Sequence, residues 1–336
     1  MSLILNLPSK LCLRKPVLVR CSPLHSNGSS SASLPQSQTL PSTICCADPC
    51  RPHRERFIVR RYDGDMNPLD YEMPGDFMEV TELKGSTNGW ITSLVDGRVG
   101  LYTHRKSRVW LPPLETLPLC QTQMATNVVM SLSDPEEEDC VVAVKFLGPQ
   151  LSICRPAQSN TEWINIRISN PCFFYSPVMY SEKDDMFRIV GSGGHLVGSW
   201  DLHKHKHTPK IQRLQFQNLP ELSKAKRELL ISSTTSEHLV ESRTTGETFM
   251  VKWYKRTAKT MYRIERMETK ALMVFKIDEE GNAVYTQDIG DLCIFLTRSE
   301  SFCVPACSVR HMRPNRVKIL DVDEITIFDL AAQKWN

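Results

Sequence analysis

No acidic side chain occurs before Asp48. No run of roughly 18 uncharged apolar residues occurs anywhere, and the most apolar stretch, Cys140 to Leu147, is broken by Lys145. A helix crossing a bilayer is thereby excluded, and no membrane insertion is expected. Glycine is scarce, 15 of 336 residues, which excludes a collagen-like fibre. The 12 cysteines are spread too thinly for a disulfide-stapled miniprotein. With 41% hydrophobic and 24% charged residues, the chain is not a disordered tail protein; one large domain or two modest ones fit.

Chemical signatures are equally sparse. Gly191-Ser192-Gly193-Gly194-His195 lacks the Gly-Lys-Ser/Thr ending of a phosphate-binding loop and precedes a strand, so it reads as a turn. Ser192 does not meet the Gly-x-Ser-x-Gly pattern of a hydrolase nucleophile. The carboxylates of Asp134 to Asp139 are packed side by side, as in a solvated loop. Cys46/Cys50 and Cys303/Cys307 share a three-residue gap, wider than most paired zinc spacings, and Cys140, Cys154, Cys172 and Cys293 sit in apolar runs as reduced, buried thiols. No catalytic residue, cofactor or metal is assigned, and the chain is expected to be no enzyme.

What is present starts with the first 47 residues. Their basic groups, Lys10, Arg14, Lys15 and Arg20, stand among many serines, which is the composition of an organellar transit peptide over residues 1–50, disordered before import. Arg20-Cys21-Ser22 points to mitochondrial processing; the chloroplast is the alternative address. A plain tail without an addressing role also fits this composition. Without this segment the chain is close to neutral, with 37 basic and 38 acidic groups.

From about Arg56 the pattern turns to short alternating runs. Ile164, Ile166 and Ile168 share one face, with Asn165 and Arg167 on the other. Phe249, Val251 and Trp253 alternate in the same way with Met250, Lys252 and Tyr254, and further apolar faces are Val142, Val144, Phe146 and Met273, Phe275, Ile277. Asp96-Gly97, Gly148-Pro149, Thr245-Gly246 and Glu280-Gly281-Asn282 supply tight reversals. Hairpins are expected over Trp90–Thr103, Val141–Arg155, Leu239–Tyr254 and Leu272–Gln287. The fold class is therefore all-β, a β-propeller-like array of antiparallel hairpin blades over residues 56–332, with a pair of β-sandwiches as the alternative. One peripheral helix is expected over Leu219–Ile231, with Pro220 in its first turn.

Two residue groups could contact a ligand. His203, His205 and His207 would share one face of a strand and approach a metal, or form a solvated edge whose interleaved Lys204 and Lys206 repel cations. Lys252, Tyr254, Lys255, Arg256, Lys259, Tyr262, Arg263 and Arg266 mix bases with aromatics as readers of single-stranded RNA do, or form an ordinary strand with a basic edge.

The runs Glu237 to Ser242, Gly246 to Tyr254, Met273 to Asp278, Asp288 to Leu296 and Ser301 to Ala306 resemble, in this order, the plant domain-of-unknown-function 295 family. Ser86 to Val95 is similar to its Gly-Trp blade start, and Leu111-Pro112-Pro113-Leu114 to its proline-rich strand exit. The resemblance implies a KIB-type β-propeller related to F-box proteins, in an organellar branch that lacks the F-box. Leu7-Pro8 imitates an F-box start, but Pro16, Pro23 and the serine run break the helices that should follow. A non-enzymatic organellar binding protein with a protein partner follows, linked to stress-related regulation in mitochondria. The alternatives are a cytosolic or nuclear substrate-recognition subunit of a ubiquitin ligase, and an organellar RNA-binding protein.

Overall fold

A computed structural model describes residues 42–48, 56–62, 68–73, 82–87, 90–95, 97–102, 108–117, 124–159, 161–201, 208–259, 265–297, 300–309, 312–321 and 324–335, all within the unit Gln38–Asn336. These residues form six sheets. The first contains β1 (Ser42–Asp48), β2 (Arg56–Tyr62) and β3 (Pro68–Met73). The second is a meander of β4 (Glu82–Thr87), β5 (Trp90–Val95), β6 (Arg98–Tyr102) and β7 (Arg108–Pro113). The third repeats that plan with β8 (Ala125–Met130), β9 (Val142–Phe146), β10 (Gln150–Cys154) and β11 (Ile164–Arg167). The fourth does so with β12 (Val178–Ser181), β13 (Met186–Val190), β14 (Leu196–Trp200) and β15 (Lys210–Arg213).

The fifth sheet holds β16 (Gln215–Gln217), β17 (Thr234–Glu241), β18 (Thr248–Lys259), β19 (Glu265–Ile277) and β20 (Asn282–Thr286), with β16 parallel to β20 at the outer edge. The sixth holds β21 (Leu292–Thr297), β22 (Phe302–Pro305), β23 (Arg316–Leu320), β24 (Ile325–Asp329) and β25 (Lys334–Trp335). It departs from the meander, because the chain enters at the second position, turns back into β22, and then crosses to β23, parallel to β21. All four expected hairpins are present as β5–β6, β9–β10, β17–β18 and β19–β20. β1 lies inside the stretch expected as presequence and pairs with β2; residues 1–41 and 49–50 lie outside the described set.

Successive sheets meet through one edge strand of each, the innermost: β1 against β4, β4 against β8, β8 against β12, β12 against β17, and β17 against β22. The two faces of each strand then feed two different cores, because side chains alternate across a sheet. Val128, Met130, Val142 and Val144 join Val99, Leu101 and Leu111 of the second sheet. Their neighbours Val129, Val141, Ala143, Leu151 and Ile153 pack instead on Phe187, Ile189 and Trp200 of the fourth and on Phe173 in the segment that leads into it. Leu239, Met250 and Phe275 face that fourth sheet through Met179, Val190 and Val197. Val240, Phe249, Val251 and Trp253 face the sixth through Ile294, Leu296, Val317 and Ile319. Both faces of these strands are buried: Met250 and Ala143 are as buried as their apolar neighbours, since the third, fourth and fifth sheets each have a sheet on either side.

Polar side chains stitch the sheets together. Asn127 donates to the Val178 carbonyl (2.8 Å) and accepts from the Val178 N–H (3.0 Å), joining β8 to β12. Glu241 accepts from Ser181 Oγ (2.5 Å) and from the Lys183 N–H (3.1 Å), joining β17 to β12. The buried Lys145 ammonium donates to the carbonyls of Phe146, Gly148 and Phe174, tying the β9–β10 turn to the segment that leads into β12. Such a charge is stable in the interior only because its donors are satisfied.

The helix is shorter than expected. α1 spans Lys224–Ile231, and Ser223, not Pro220, starts it by accepting the Lys226 N–H (3.3 Å). A serine cap satisfies a free N–H of the first turn, which proline cannot do.

Candidate binding cleft

We call the face on which the innermost strands begin the upper face, and the opposite one the lower face. On the upper side of the fourth sheet, the turn 191–195 is gripped by the fifth. Gly193 donates its N–H to Glu237 Oε1 (3.0 Å), and its carbonyl accepts from Lys252 Nζ (2.9 Å). Gly194 adopts φ +73°, and a Cβ there would lie 2.8 Å from Met250 Sδ, so the close approach requires glycine. Burial lowers the Lys252 pKa and raises that of Glu237.

This clamp decides where much of the basic and aromatic stripe goes. Lys252 also lies 4.3 Å from the Phe216 ring centroid. The Tyr254 hydroxyl reaches Met273 Sδ (3.6 Å), and Lys255 pairs with Asp321 (3.4 Å) while covering the Trp253 ring at 3.8 Å. Arg256 and Arg266 are exposed. Tyr262, Arg263 and the side chain of Lys259 lie outside the described residues, as do His203, His205 and His207. No group of three or more metal-binding side chains occurs among the described residues.

One histidine and four thiols are taken up by packing. His238 is buried between the fifth and sixth sheets, with Nε2 3.1 Å from Ser236 Oγ and Nδ1 3.2 Å from Ser301 Oγ. Burial pushes its pKa down to about 4, with Lys255 acting in the same direction and Asp321 against it. Burial likewise pushes the thiols of Cys140 and Cys293 up to about 11 and those of Cys154 and Cys303 up to about 12. Thiols of this kind are inert at neutral pH.

A recess lies on the lower face, between the fourth and fifth sheets. It has a volume of about 960 Å³ and is walled by the β12–β13, β17–β18 and β19–β20 turns and the edge of β15. The β19–β20 turn is seated by Gly281 at φ +89°, where a Cβ would lie 2.7 Å from the Arg213 carbonyl oxygen. Four cations, Lys183, Arg188, Lys210 and Lys276, face five carboxylates, Asp184, Glu247, Asp278, Glu279 and Glu280. Lys183 bridges to Glu279 across the two sheets (2.8 Å), Lys276 pairs with Glu247, and Arg188 with Asp184. These partners hold the Glu279 and Glu247 carboxyls below their usual range. The Lys183–Glu279 bridge is solvent-accessible, and exposed pairs stabilise a fold little, so a charged segment can exchange into it at small cost. Sequence reasoning did not find this cleft; its only trace was the pair of turn signals Thr245-Gly246 and Glu280-Gly281-Asn282 at its rim.

Consecutive, mainly antiparallel sheets stacked face to face through their innermost strands define a β-propeller. Residues 64–329 match the KIB1-4 β-propeller family, and the chain belongs to that family. Among solved structures it is similar to a streptogramin B lyase, at 10% identity over 90% of this chain and 94% of that one, with a TM-score of 0.36. It is also similar to a catalytically inactive virginiamycin B lyase from Staphylococcus aureus with quinupristin, at 13% identity over 72% and 79% of the two chains and a TM-score of 0.32. Likenesses this distant carry no argument about chemistry. No curated protein matches the chain.

Proposed function

We propose that this chain is a non-enzymatic propeller that holds a protein partner inside an organelle, the mitochondrion first and the chloroplast as the alternative, in stress-related regulation. The observation that carries the binding half is the lower-face cleft, whose turn-borne ion pairs are open to exchange with a charged protein segment. Propellers display specificity on such loops while the strands supply a rigid frame. The buried, hydrogen-bonded His238 and the raised thiols support binding over catalysis. The acid-free, serine-rich opening supports import.

Import of the full chain into isolated plant mitochondria and chloroplasts tests the address. A protease-protected product, trimmed between Cys21 and His53 in one organelle, is the expected result. No protection and no trimming in either organelle would return the cytosolic ubiquitin-ligase subunit to first place. The binding half is tested by reversing charge in the cleft, with Lys183→Glu and Lys276→Glu together.

A further inference from the structure

Strands β18 and β19 outrun their neighbours. Pairing of β17 with β18 begins at Thr234 opposite Lys255, and β20 reaches only as far as Val274 on β19. Residues 256–259 and 265–268 therefore pair only with each other, as a two-stranded arm on the upper face. The register puts Arg256, Ala258, Arg266 and Glu268 on one side of this arm, with the two arginines as diagonal neighbours. Both are exposed, and Glu268 is engaged by Lys270 (2.8 Å).

Helix α1 packs against β19 and adds exposed Lys224, Lys226 and Arg227 to the same corner. None of these five cations has an ion-pair partner among the described residues, where the exposed carboxylates nearby in sequence are Glu221, Glu228 and Glu268. Two large aliphatic side chains flank the helix in water: Leu219 is 52% exposed and Ile231 is 79% exposed. Unpaired cations beside exposed aliphatics ask for a ligand that brings carboxylates and an apolar anchor together.

We propose that the corner formed by α1 and the β18–β19 arm docks an acidic amphipathic segment of a partner protein. Its carboxylates pair with Arg256 and Arg266, whose guanidinium forks match a carboxylate, and with the lysines of α1. Its apolar side chain covers Ile231, at the end of α1 that leads into β17. A protein segment fits better than a nucleic acid, because the aromatics at the base of the arm are turned inward. Trp253 donates to Thr269 Oγ1 (2.8 Å) and Tyr254 reaches Met273, so neither offers a plane for a base to stack on.

This proposal rests on the reading that the chain works by binding, yet it uses a face separate from the cleft. The test is fluorescence anisotropy on the purified full chain with three labelled probes: a peptide of alternating glutamate pairs and leucines, the same peptide with glutamine for glutamate, and a single-stranded RNA of similar length. The acidic peptide is expected to bind. Arg256→Glu with Arg266→Glu should weaken it about tenfold or more, and Ile231→Ser should weaken it further. The cleft variant Lys183→Glu with Lys276→Glu should bind it as wild type does. Equal binding of the glutamine peptide, tighter binding of the RNA, or an unchanged affinity in the arm variant would overturn the proposal. Loss of binding in the cleft variant alone would also overturn it, while leaving the binding reading intact. Thermal unfolding of each variant, expected at the wild-type temperature because all five positions are exposed, separates misfolding from lost contact.

Discussion

Replacing Trp253 with alanine is expected to lower stability by about 4 kcal/mol, the range for emptying a large aromatic site in a close-packed core. Trp253 is buried among Val240, Leu272, Val317 and Ile319, so its ring is shared by the fifth and sixth blades. Its N–H satisfies Thr269 Oγ1, and the Lys255 ammonium lies over its face. Alanine removes the packing and leaves Thr269 and Lys255 to find new partners. Phenylalanine keeps most of the volume and should cost about 1 to 2 kcal/mol less than alanine. Urea unfolding of both variants checks this, and an alanine cost below about 1 kcal/mol would mean that the blades do not pack on both faces.

Acid should destabilise the protein through His238. Its ordinary value in an unfolded chain is about 6.5, whereas burial between the blades holds it near 4 in the fold. Between these two values the unfolded chain binds a proton that the folded chain refuses, so stability falls as pH drops from 6.5 towards 4. The shift corresponds to about 3 kcal/mol in full at the acid end. The contribution is absent above pH 6.5, where both states carry a neutral ring. His238→Gln keeps a polar group between Ser236 and Ser301 but cannot titrate. Urea melts at pH 7, 5 and 4 should show wild type losing about 3 kcal/mol more than the variant across this span. Parallel losses in the two proteins would contradict a buried neutral imidazole. Glu237, whose pKa is raised by burial, acts in the opposite direction but is common to both.

The hairpins were legible because their signals are local. Asp96-Gly97 and Glu280-Gly281-Asn282 need only their own backbone to reverse a chain, and alternation marks the flanking strands whatever they pack on. The second face of each blade was harder to read. Met250, Lys252 and Tyr254 are amphipathic enough to pass for a solvated edge, yet a propeller puts another blade there, and Lys252 closes a clamp on Gly193. The sixth blade's parallel neighbours, β21 and β23, are joined by a connection that no local pattern encodes. The start of α1 was misread at Pro220 because proline suits a first turn, although Ser223 three residues later holds the free N–H.

Of the candidate sites, the sequence identified the basic stretch but not which of its charges remain free. Only burial separates Lys252 and Lys255, which are consumed internally, from Arg256 and Arg266, which are not. The lower-face cleft was invisible for a different reason. Lys183, Glu247, Lys276 and Glu279 are ordinary surface charges scattered over three turns and the end of β19, and only the stacking of two blades makes them one wall.

The claim that the protein acts by holding a partner is tested most directly in that wall. Full-length wild-type chain and the Lys183→Glu, Lys276→Glu variant, both expressed in the native cells, would be crosslinked in situ, and partner crosslinks to the cleft quantified by mass spectrometry. A defined partner crosslinked to Lys210, on wild type and at least about tenfold reduced on the variant at unchanged thermal stability, is the predicted result. Equal crosslinking of wild type and variant, or none at the cleft in either, would contradict it.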